Sequence, residues 1–162
     1  MNQLRCYILT ISDRCCRGER EDRSGERLVS LCRAAGWEVV GKDILPDEKD
    51  VIVEKLSSLV SEARLDLILT TGGTGLGPRD VTPEATSEVV DREVPGISEL
   101  LRWEGMKRTP YSALSRGRAG LKGQTLIINL PGSPRAVEES FEALNLLIPH
   151  AVEMMRGAGH EG

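Results

Sequence analysis

The sequence predicts an α/β fold of three layers, α/β/α, in which a mainly parallel sheet carries helices on both faces. Apolar segments of strand length alternate with segments of helical periodicity along the chain, and this order is typical of parallel strands joined by crossover helices. The segment 67–71 (LILTT) is apolar and β-branched without a helical period, as expected for a strand buried on both faces. Apolar residues make up 40% of the chain but aromatic residues only 3%, which indicates a core of aliphatic side chains.

The first half of the chain predicts strands at 6–11, 37–45 and 67–71. A helix is predicted at 24–35, where Gly36 follows the last apolar position and can end it. A second helix has its apolar positions between Val51 and Val60. The charged stretch 13–23 is too polar for the core and is predicted to be a loop.

In the second half, helices are predicted at 83–90 and 96–106, separated by Pro95, which disfavours a continuous helix. Segment 107–122 has mixed character, and its arginines fit either a hairpin arm or a loop that faces an anion. A strand at 124–130 and a closing helix at 137–155 complete the pattern. Pro149 is predicted to kink that last helix.

All 162 residues are predicted to form one domain, 1–162, because the chain is long enough for one core and contains no linker. A net charge of −4 and few aromatic residues argue against a nucleic-acid partner. No apolar run approaches the roughly 20 residues of a membrane-spanning helix, and the first residues lack the apolar core of a signal peptide. The cysteines show no C-x-x-C spacing, and His150 and His160 are too few for a metal cluster. We expect a cytoplasmic protein with no membrane partner.

A glycine-rich loop follows the central strand, at the edge where open α/β sheets bind ligands. The loop contains four glycines, Gly72, Gly73, Gly75 and Gly77. Glycine has no Cβ that would keep a ligand away from the backbone N–H groups. The spacing does not match a Walker A motif or a dinucleotide fingerprint, because Pro78 stands where each motif needs another residue. The loop is therefore a different kind of phosphate cradle, or only a turn.

Helix starts beside the glycine loop would favour an anion. Thr82 followed by Pro83 is typical of an N-cap and first helical position, which would bring the positive end of a helix to the loop. The segment Pro131, Gly132, Ser133 repeats this arrangement after the strand at 124–130, with Ser133 as the predicted cap.

Polar residues also end the first two strands. Ser12 and Asp13 follow the first, and Asp47 follows the second. Asp47 has two interpretations that the sequence leaves open: it caps the next helix, or it joins Asp80 in a Mg²⁺ and phosphate site.

Six segments together resemble the MogA/MoaB-type molybdopterin adenylyltransferase family, and the gephyrin G domain is similar. These segments are 9–13 (LTISD), 22–25 (DRSG), 45–48 (LPDE), 71–75 (TGGTG), 79–85 (RDVTPEA) and 129–134 (NLPGSP). Because they occur in the family's order over nearly the whole chain, the resemblance is more specific than any single motif.

The resemblance implies an enzyme of molybdenum cofactor biosynthesis that joins molybdopterin to AMP from Mg-ATP and releases pyrophosphate. It implies a homotrimer and a downstream molybdate-insertion protein as partners. Asp47 and Asp80 fall on the family's essential acidic positions, as Mg²⁺ ligands, and Arg79 is the candidate for offsetting developing charge. The binding residues it implies are Ser12, Asp13, Thr71, Gly72, Gly73, Thr74, Gly75, Ser115, Asn129, Pro131, Gly132 and Ser133.

Three alternatives remain at this point. The chain could bind the pterin without adenylylating it, act as a scaffold, or hydrolyse a nucleotide as in the related domain of the competence-damage-inducible family. Cys15, Cys16 and the charged segment 17–21 match no family pattern and receive no role.

Overall fold

The structure is a computed structural model that describes residues 3–157. Its strands are β1 (Arg5–Ile11), β2 (Glu38–Leu45), β3 (Leu67–Thr71), β4 (Arg92–Glu93), β5 (Ala119–Lys122) and β6 (Thr125–Leu130). Its helices are α1 (Asp13–Cys16), α2 (Arg23–Ala34), α3 (Lys49–Glu62), α4 (Thr82–Val89), α5 (Pro95–Met106), α6 (Pro134–Leu144) and α7 (Leu147–Met155), with a 3-10 helix at Pro110–Leu114.

The six strands form one sheet in the order β2-β1-β3-β6-β5-β4. The pairs β1–β2, β1–β3 and β3–β6 are parallel, whereas β5 pairs antiparallel with both β6 and β4. All five residues of β3 are buried, as its apolar sequence predicts for a central strand. The predicted mainly parallel sheet is confirmed.

Two apolar clusters cover the two faces of this sheet. One contains Leu28 of α2, Val137 of α6 and Ile148 of α7. The other contains Ile52 of α3 and Ala85 of α4. Helices therefore lie on both faces, and the three-layer prediction is confirmed. None of the helices in residues 3–157 has the length and apolarity needed to cross a membrane.

Two predictions about helices are wrong. The closing helix is not kinked at Pro149 but divides into α6 and α7 at residues 145–146, so that Pro149 lies in the first turn of α7, where its missing N–H breaks no helical hydrogen bond. The stretch 13–23 is not entirely a loop, since α1 forms its first turn and the Ser12 hydroxyl accepts a hydrogen bond from Cys15 N.

Thr82 does not cap α4 as predicted. It is the first residue of that helix, and the cap position belongs to Val81, whose side chain makes no capping bond. The buried Thr82 hydroxyl instead donates to the Gly72 carbonyl, with Oγ1 3.0 Å from that oxygen. This tertiary contact ties the start of α4 to the glycine loop.

Candidate functional site

Two neighbouring cavities open at the carboxyl ends of β1, β3 and β6. The first, which we call the polar cavity, has a volume of about 740 Å³ and lies between these strand ends and the N-termini of α2 and α6. The second, the α5 cavity, has a volume of about 400 Å³ and lies between the glycine loop, α5 and the 3-10 helix. Gly73, Asp80 and Gly132 line both cavities, so we call these three residues the junction.

The predicted site residues divide between the two cavities. The polar cavity is lined by Ser12, Asp47, Thr71, Gly72 and Ser133 in addition to the junction. The α5 cavity is lined by Thr74, Gly75, Ser115, Asn129 and Pro131 in addition to the junction. Asp13 and Arg79 line neither cavity and lie at the rim, where Arg79 borders a shallow depression together with Asp47.

The start of the glycine loop requires glycine for geometric reasons. Gly72 and Gly73 have φ angles of +101° and +69°, in the left-handed region that side chains disfavour. A Cβ on Gly72 would lie 2.3 Å from the Ile11 carbonyl oxygen, and a Cβ on Gly73 would lie 2.3 Å from Thr82 Oγ1. These glycines therefore let the loop pass close to both β1 and α4.

The glycine loop also packs directly against the turn after β6. The Thr71 hydroxyl donates to the Pro131 carbonyl over 2.6 Å, and Gly72 N donates to the Leu130 carbonyl over 3.1 Å. A Cβ on Gly132 would lie 3.3 Å from Gly72 Cα. The two glycine turns that the sequence singled out are thus one structural unit, positioned by the adjacent strands β3 and β6.

Asp47 is positioned by a reciprocal pair of hydrogen bonds with Asp13. Asp13 N donates to Asp47 Oδ2, and Asp47 N donates to Asp13 Oδ1, each over 2.9 Å. The cap position of α3 belongs to Glu48, with no side-chain capping bond. The interpretation of Asp47 as the cap of α3 is therefore wrong, and its carboxylate faces the polar cavity.

The carboxylates concentrate negative charge around the junction. Burial raises the pKa of Asp47 above its ordinary value, and the charges of Asp13 and Asp80 raise it further. Hydrogen bonds from Arg79 and from Asp47 N hold the pKa of Asp13 below its ordinary value. Asp80 Oδ2 accepts a hydrogen bond from Gly77 N over 2.9 Å. A bound cation would offset both the desolvation of the Asp47 carboxylate and its repulsion by Asp13 and Asp80.

The donor set suits a metal that brings some of its own ligands. Among residues 3–157 no group of three or more His, Cys, Asp or Glu side chains forms a metal cage, and His160 lies outside this range. Mg²⁺ is commonly held by one or two carboxylates, with phosphate and water oxygens completing its octahedron. Asp47 and Asp80, which line the same cavity, fit that requirement.

Arg79 is engaged with Asp13 in the structure. Its Nε lies 3.0 Å from Asp13 Oδ2 and its Nη2 lies 3.0 Å from Asp13 Oδ1, a bidentate pair at an exposed position. Its predicted role in offsetting developing charge stays a prediction. The pair with Asp13 uses only Nε and Nη2 of the guanidinium, so a phosphate can be contacted through its remaining N–H donors or by exchanging Asp13 for the ligand.

Asn129 and Ser133 serve the architecture of the site through their side chains. Asn129 is buried, and its Nδ2 donates to the hydroxyls of Thr70 and Thr86 while its Oδ1 accepts from Arg118 N. Ser133 caps α6 by accepting a hydrogen bond from Ala136 N, as predicted. Both residues fix the backbone that borders the cavities.

Arg116 is a residue whose role the sequence did not reveal. Its side chain donates to the Gly75 and Asp80 carbonyls over 2.8 and 2.7 Å, and to the Glu84 carboxylate over 2.6 Å. Its own N–H donates to the Thr74 carbonyl. Segment 107–122 is a hairpin arm only at its end, where β5 (Ala119–Lys122) pairs antiparallel with β6, and its earlier part contains the 3-10 helix Pro110–Leu114. Arg116 lies between the two and holds the glycine loop.

We expect Arg116→Lys to lower the turnover of any reaction that depends on the glycine loop at least about tenfold and to lower the free energy of unfolding by about 1.5–3 kcal/mol, the usual range for hydrogen bonds to charged groups. A lysine retains the positive charge but lacks the planar guanidinium with which Arg116 reaches its three acceptors. Arg118→Lys is the matched control, since Arg118 pairs with Glu93 at an exposed position. Steady-state kinetics and thermal melting measure both effects, and equal turnover in the two variants would show that the loop does not depend on Arg116.

The comparison with known proteins agrees with this geometry. Residues 7–150 match a family model described as a probable molybdopterin binding domain. The chain belongs to this family, which includes the MogA and MoaB proteins. It is 38% identical to the molybdopterin adenylyltransferase of Helicobacter pylori over 97% of this chain and 90% of that protein, and 35% identical to that of Escherichia coli K12 over 97% and 88%.

One further relative is much longer than this chain, and two others are known from solved structures. The chain is 46% identical to the molybdenum cofactor synthesis protein cinnamon of Drosophila melanogaster over 96% of its own length, but it spans 26% of that protein. The crystal structure of the molybdopterin biosynthesis enzyme MoaB from Thermus thermophilus superposes with a TM-score of 0.90 at 48% identity, covering 96% of this chain and 98% of that chain. A CinA structure from Thermoplasma acidophilum, at 16% identity and a TM-score of 0.70 over 91% of this chain and 99% of that one, shares the fold.

Proposed function

We infer that this chain is a molybdopterin adenylyltransferase of molybdenum cofactor biosynthesis. The observation that carries this conclusion is the pair of cavities that share the junction, since an adenylyl transfer must bring two bound substrates together at one phosphorus atom. Asp80 lies at the junction and Asp47 lines the polar cavity beside it. Adenylyltransferase relatives that match nearly the full chain support the same conclusion.

We propose that the polar cavity binds the triphosphate of ATP. The N-termini of α2 and α6 border it, and both ends carry partial positive charge. Asp22 fixes the first of these helices, because its carboxylate accepts hydrogen bonds from Gly25 N and the Thr10 hydroxyl. A Cβ on Gly25 would lie 2.3 Å from that carboxylate, so the glycine permits the contact.

The proposed reaction needs no nucleophilic side chain. An oxygen of the molybdopterin phosphate attacks the α-phosphorus of ATP, forming a new P–O bond while the bond from the α-phosphorus to the bridging oxygen breaks and pyrophosphate leaves with its electron pair. Both reactants are anions, so the protein's work is positioning and charge neutralisation. Mg²⁺, held by Asp47 and Asp80, would neutralise charge on the phosphate oxygens when bound. The amides of Gly73 and Gly75 would contact the same oxygens, since those of Gly72 and Gly77 donate to Leu130 O and Asp80 Oδ2 within the protein.

We further propose that the protein is a cytoplasmic homotrimer that passes its product to a molybdate-insertion protein. Exposed apolar side chains on α5 and the 3-10 helix, among them Trp103, Met106, Tyr111 and Leu114, support an interface, since contiguous apolar surface often marks one. Light scattering at micromolar concentration is expected to give three times the chain mass of 17.7 kDa. A mass of one chain would contradict the trimer.

The reaction itself is tested by product formation. ATP and molybdopterin are supplied together, and adenylyl-molybdopterin and pyrophosphate are measured. Binding of molybdopterin without product formation would indicate instead that the chain binds the pterin but does not adenylylate it.

A further inference from the structure

Two polar side chains in the wall of the α5 cavity have no part in the proposed transfer. Ser98 and Arg102 lie four residues apart on α5, which places them on the same face of the helix. Both line the α5 cavity, and both also border a depression on the side of Glu93 and Arg118, but neither lines the polar cavity. Their position is therefore suited to contacting a molecule that occupies the α5 cavity and not the polar cavity.

Ser98 has an unmet hydrogen-bonding requirement. Ser98 is 5% exposed. Within residues 3–157, its Oγ is a buried side-chain atom that has no hydrogen-bond partner. Leaving a buried hydroxyl unpaired destabilises a fold, and native proteins contain few such groups. The Oγ is closed to solvent in this conformation, so the side chain must rotate toward the cavity for a ligand atom to supply the missing partner.

Arg102 carries a charge that no carboxylate among residues 3–157 neutralises. Its Nη1 donates to the carbonyls of Ser115 and Gly117, both over 3.3 Å, which hold the guanidinium in place. Within the described part of the chain no carboxylate lies within 4.0 Å of it, whereas the neighbouring Arg116 and Arg118 pair with Glu84 and Glu93. Arg102 therefore offers fixed donors and positive charge to an acceptor in the cavity.

We propose that Ser98 and Arg102 are specificity-determining contacts for the pterin ring of molybdopterin. This inference rests on the proposed function. If the reacting phosphates meet at the junction and the triphosphate occupies the polar cavity, the second substrate must extend into the α5 cavity. Leu101 and Leu114 contribute apolar wall there, as a planar ring requires. The edge of a pterin carries a carbonyl, an amino group and ring nitrogens, so a hydroxyl that both donates and accepts suits it, and a guanidinium suits its acceptors.

The test is Ser98→Ala in the full chain, with kinetics for each substrate and thermal melting. We expect the KM for molybdopterin to rise about three- to tenfold, the equivalent of one hydrogen bond, while the KM for ATP stays the same. The melting temperature should stay unchanged or rise, because the unpaired hydroxyl has been removed. Ser87→Ala on the exposed face of α4 controls for the helix propensity that alanine adds and should leave both KM values unchanged.

Arg102→Lys is a second variant, which keeps the charge but loses the planar fork. We expect the KM for molybdopterin to rise at least about tenfold with the KM for ATP unchanged. An unchanged KM for molybdopterin in Ser98→Ala, or a larger effect on the KM for ATP, would overturn the assignment.

Failure of the proposed function is distinguishable from failure of this contact. If the wild-type chain forms no adenylyl-molybdopterin, the proposed function is wrong. The contact is then judged by titration calorimetry with molybdopterin, where equal affinities of wild type and Ser98→Ala would refute it and a three- to tenfold loss would support it.

Discussion

We expect Asp47→Asn and Asp80→Asn each to lower adenylyl transfer at least about a hundredfold, the scale on which single electrostatic contacts to a transition state act, while the melting temperature stays close to that of the wild type. A neutral amide is a poor ligand for Mg²⁺, yet it preserves the hydrogen bonds seen in the structure. An asparagine oxygen at 47 can still accept from Asp13 N, and one at 80 can still accept from Gly77 N.

The pKa of Asp47 gives the sign of the stability effect. Because that pKa is raised in the folded protein, folding disfavours the ionised carboxylate at neutral pH, and the charge of Asp47 opposes stability above its unfolded pKa. Asp47→Asn removes this opposition, so we expect no loss of stability at pH 7. Thermal melting and pyrophosphate release measured on the same preparations separate the two effects.

Asp50→Asn is the matched control for these variants, because Asp50 is an exposed carboxylate in the first turn of α3, three residues beyond Asp47. It should retain wild-type turnover. Turnover close to that of the wild type in Asp47→Asn or Asp80→Asn would remove that residue from the site. A fall in melting temperature with a proportionate fall in activity would assign the carboxylate to the fold instead.

We expect Gly75→Val to weaken ATP binding at least about tenfold and to leave the fold intact. A Cβ at this position would lie 3.0 Å from Asp80 Oδ2, and the backbone of Gly75 is not in the left-handed region. A valine is therefore accommodated by displacing the Asp80 carboxylate, which lies at the junction and would hold the Mg²⁺ of Mg-ATP, and its methyl groups enter the α5 cavity rather than the polar cavity. The substitution is therefore expected to weaken ligand binding rather than folding, because the atom that a Cβ would contact, Asp80 Oδ2, belongs to a side chain.

Gly72→Ala provides the contrast, since its Cβ would meet the backbone oxygen of Ile11 at 2.3 Å with φ at +101°. We expect it to lower the free energy of unfolding by at least about 2 kcal/mol, from left-handed strain of about 1–2 kcal/mol and the contact itself. Gly96→Val is the neutral control, because nothing lies within 4 Å of a Cβ there. Titration calorimetry with ATP and circular dichroism distinguish the three, and equal ATP affinity in wild type and Gly75→Val would contradict the role of Gly75.

The sheet could be predicted because its central strands are defined by local composition. Segment 67–71 is apolar over its whole length, and the structure places β3 on the same residues. The ends of helices were harder to predict where tertiary contacts compete with local preference. Thr82 fits a cap by sequence, but its hydroxyl reaches Gly72, ten residues earlier in the chain. The break between α6 and α7 likewise has no glycine or proline at residues 145–146 to mark it.

The placement of Asp47 at the same edge as the glycine loop was predictable, because the parallel strands of one sheet all end at one edge, although β1 lies between β2 and β3. Arg116 was not, because its contact with the Gly75 carbonyl joins residues 41 positions apart. Ser98 and Arg102 resemble ordinary helix residues in the sequence. Their significance lies in what they lack, a hydroxyl partner and a neighbouring carboxylate within residues 3–157, and only the packed structure reveals it.

Adenylyl transfer is tested most directly by a single incubation of the wild-type protein with ATP, Mg²⁺ and molybdopterin, followed by mass analysis of the pterin and quantification of the released phosphates. We expect adenylyl-molybdopterin and pyrophosphate in equal amounts, with both absent when either substrate is omitted. Bound molybdopterin without pyrophosphate, or ADP and inorganic phosphate in place of the adenylylated pterin, would contradict it.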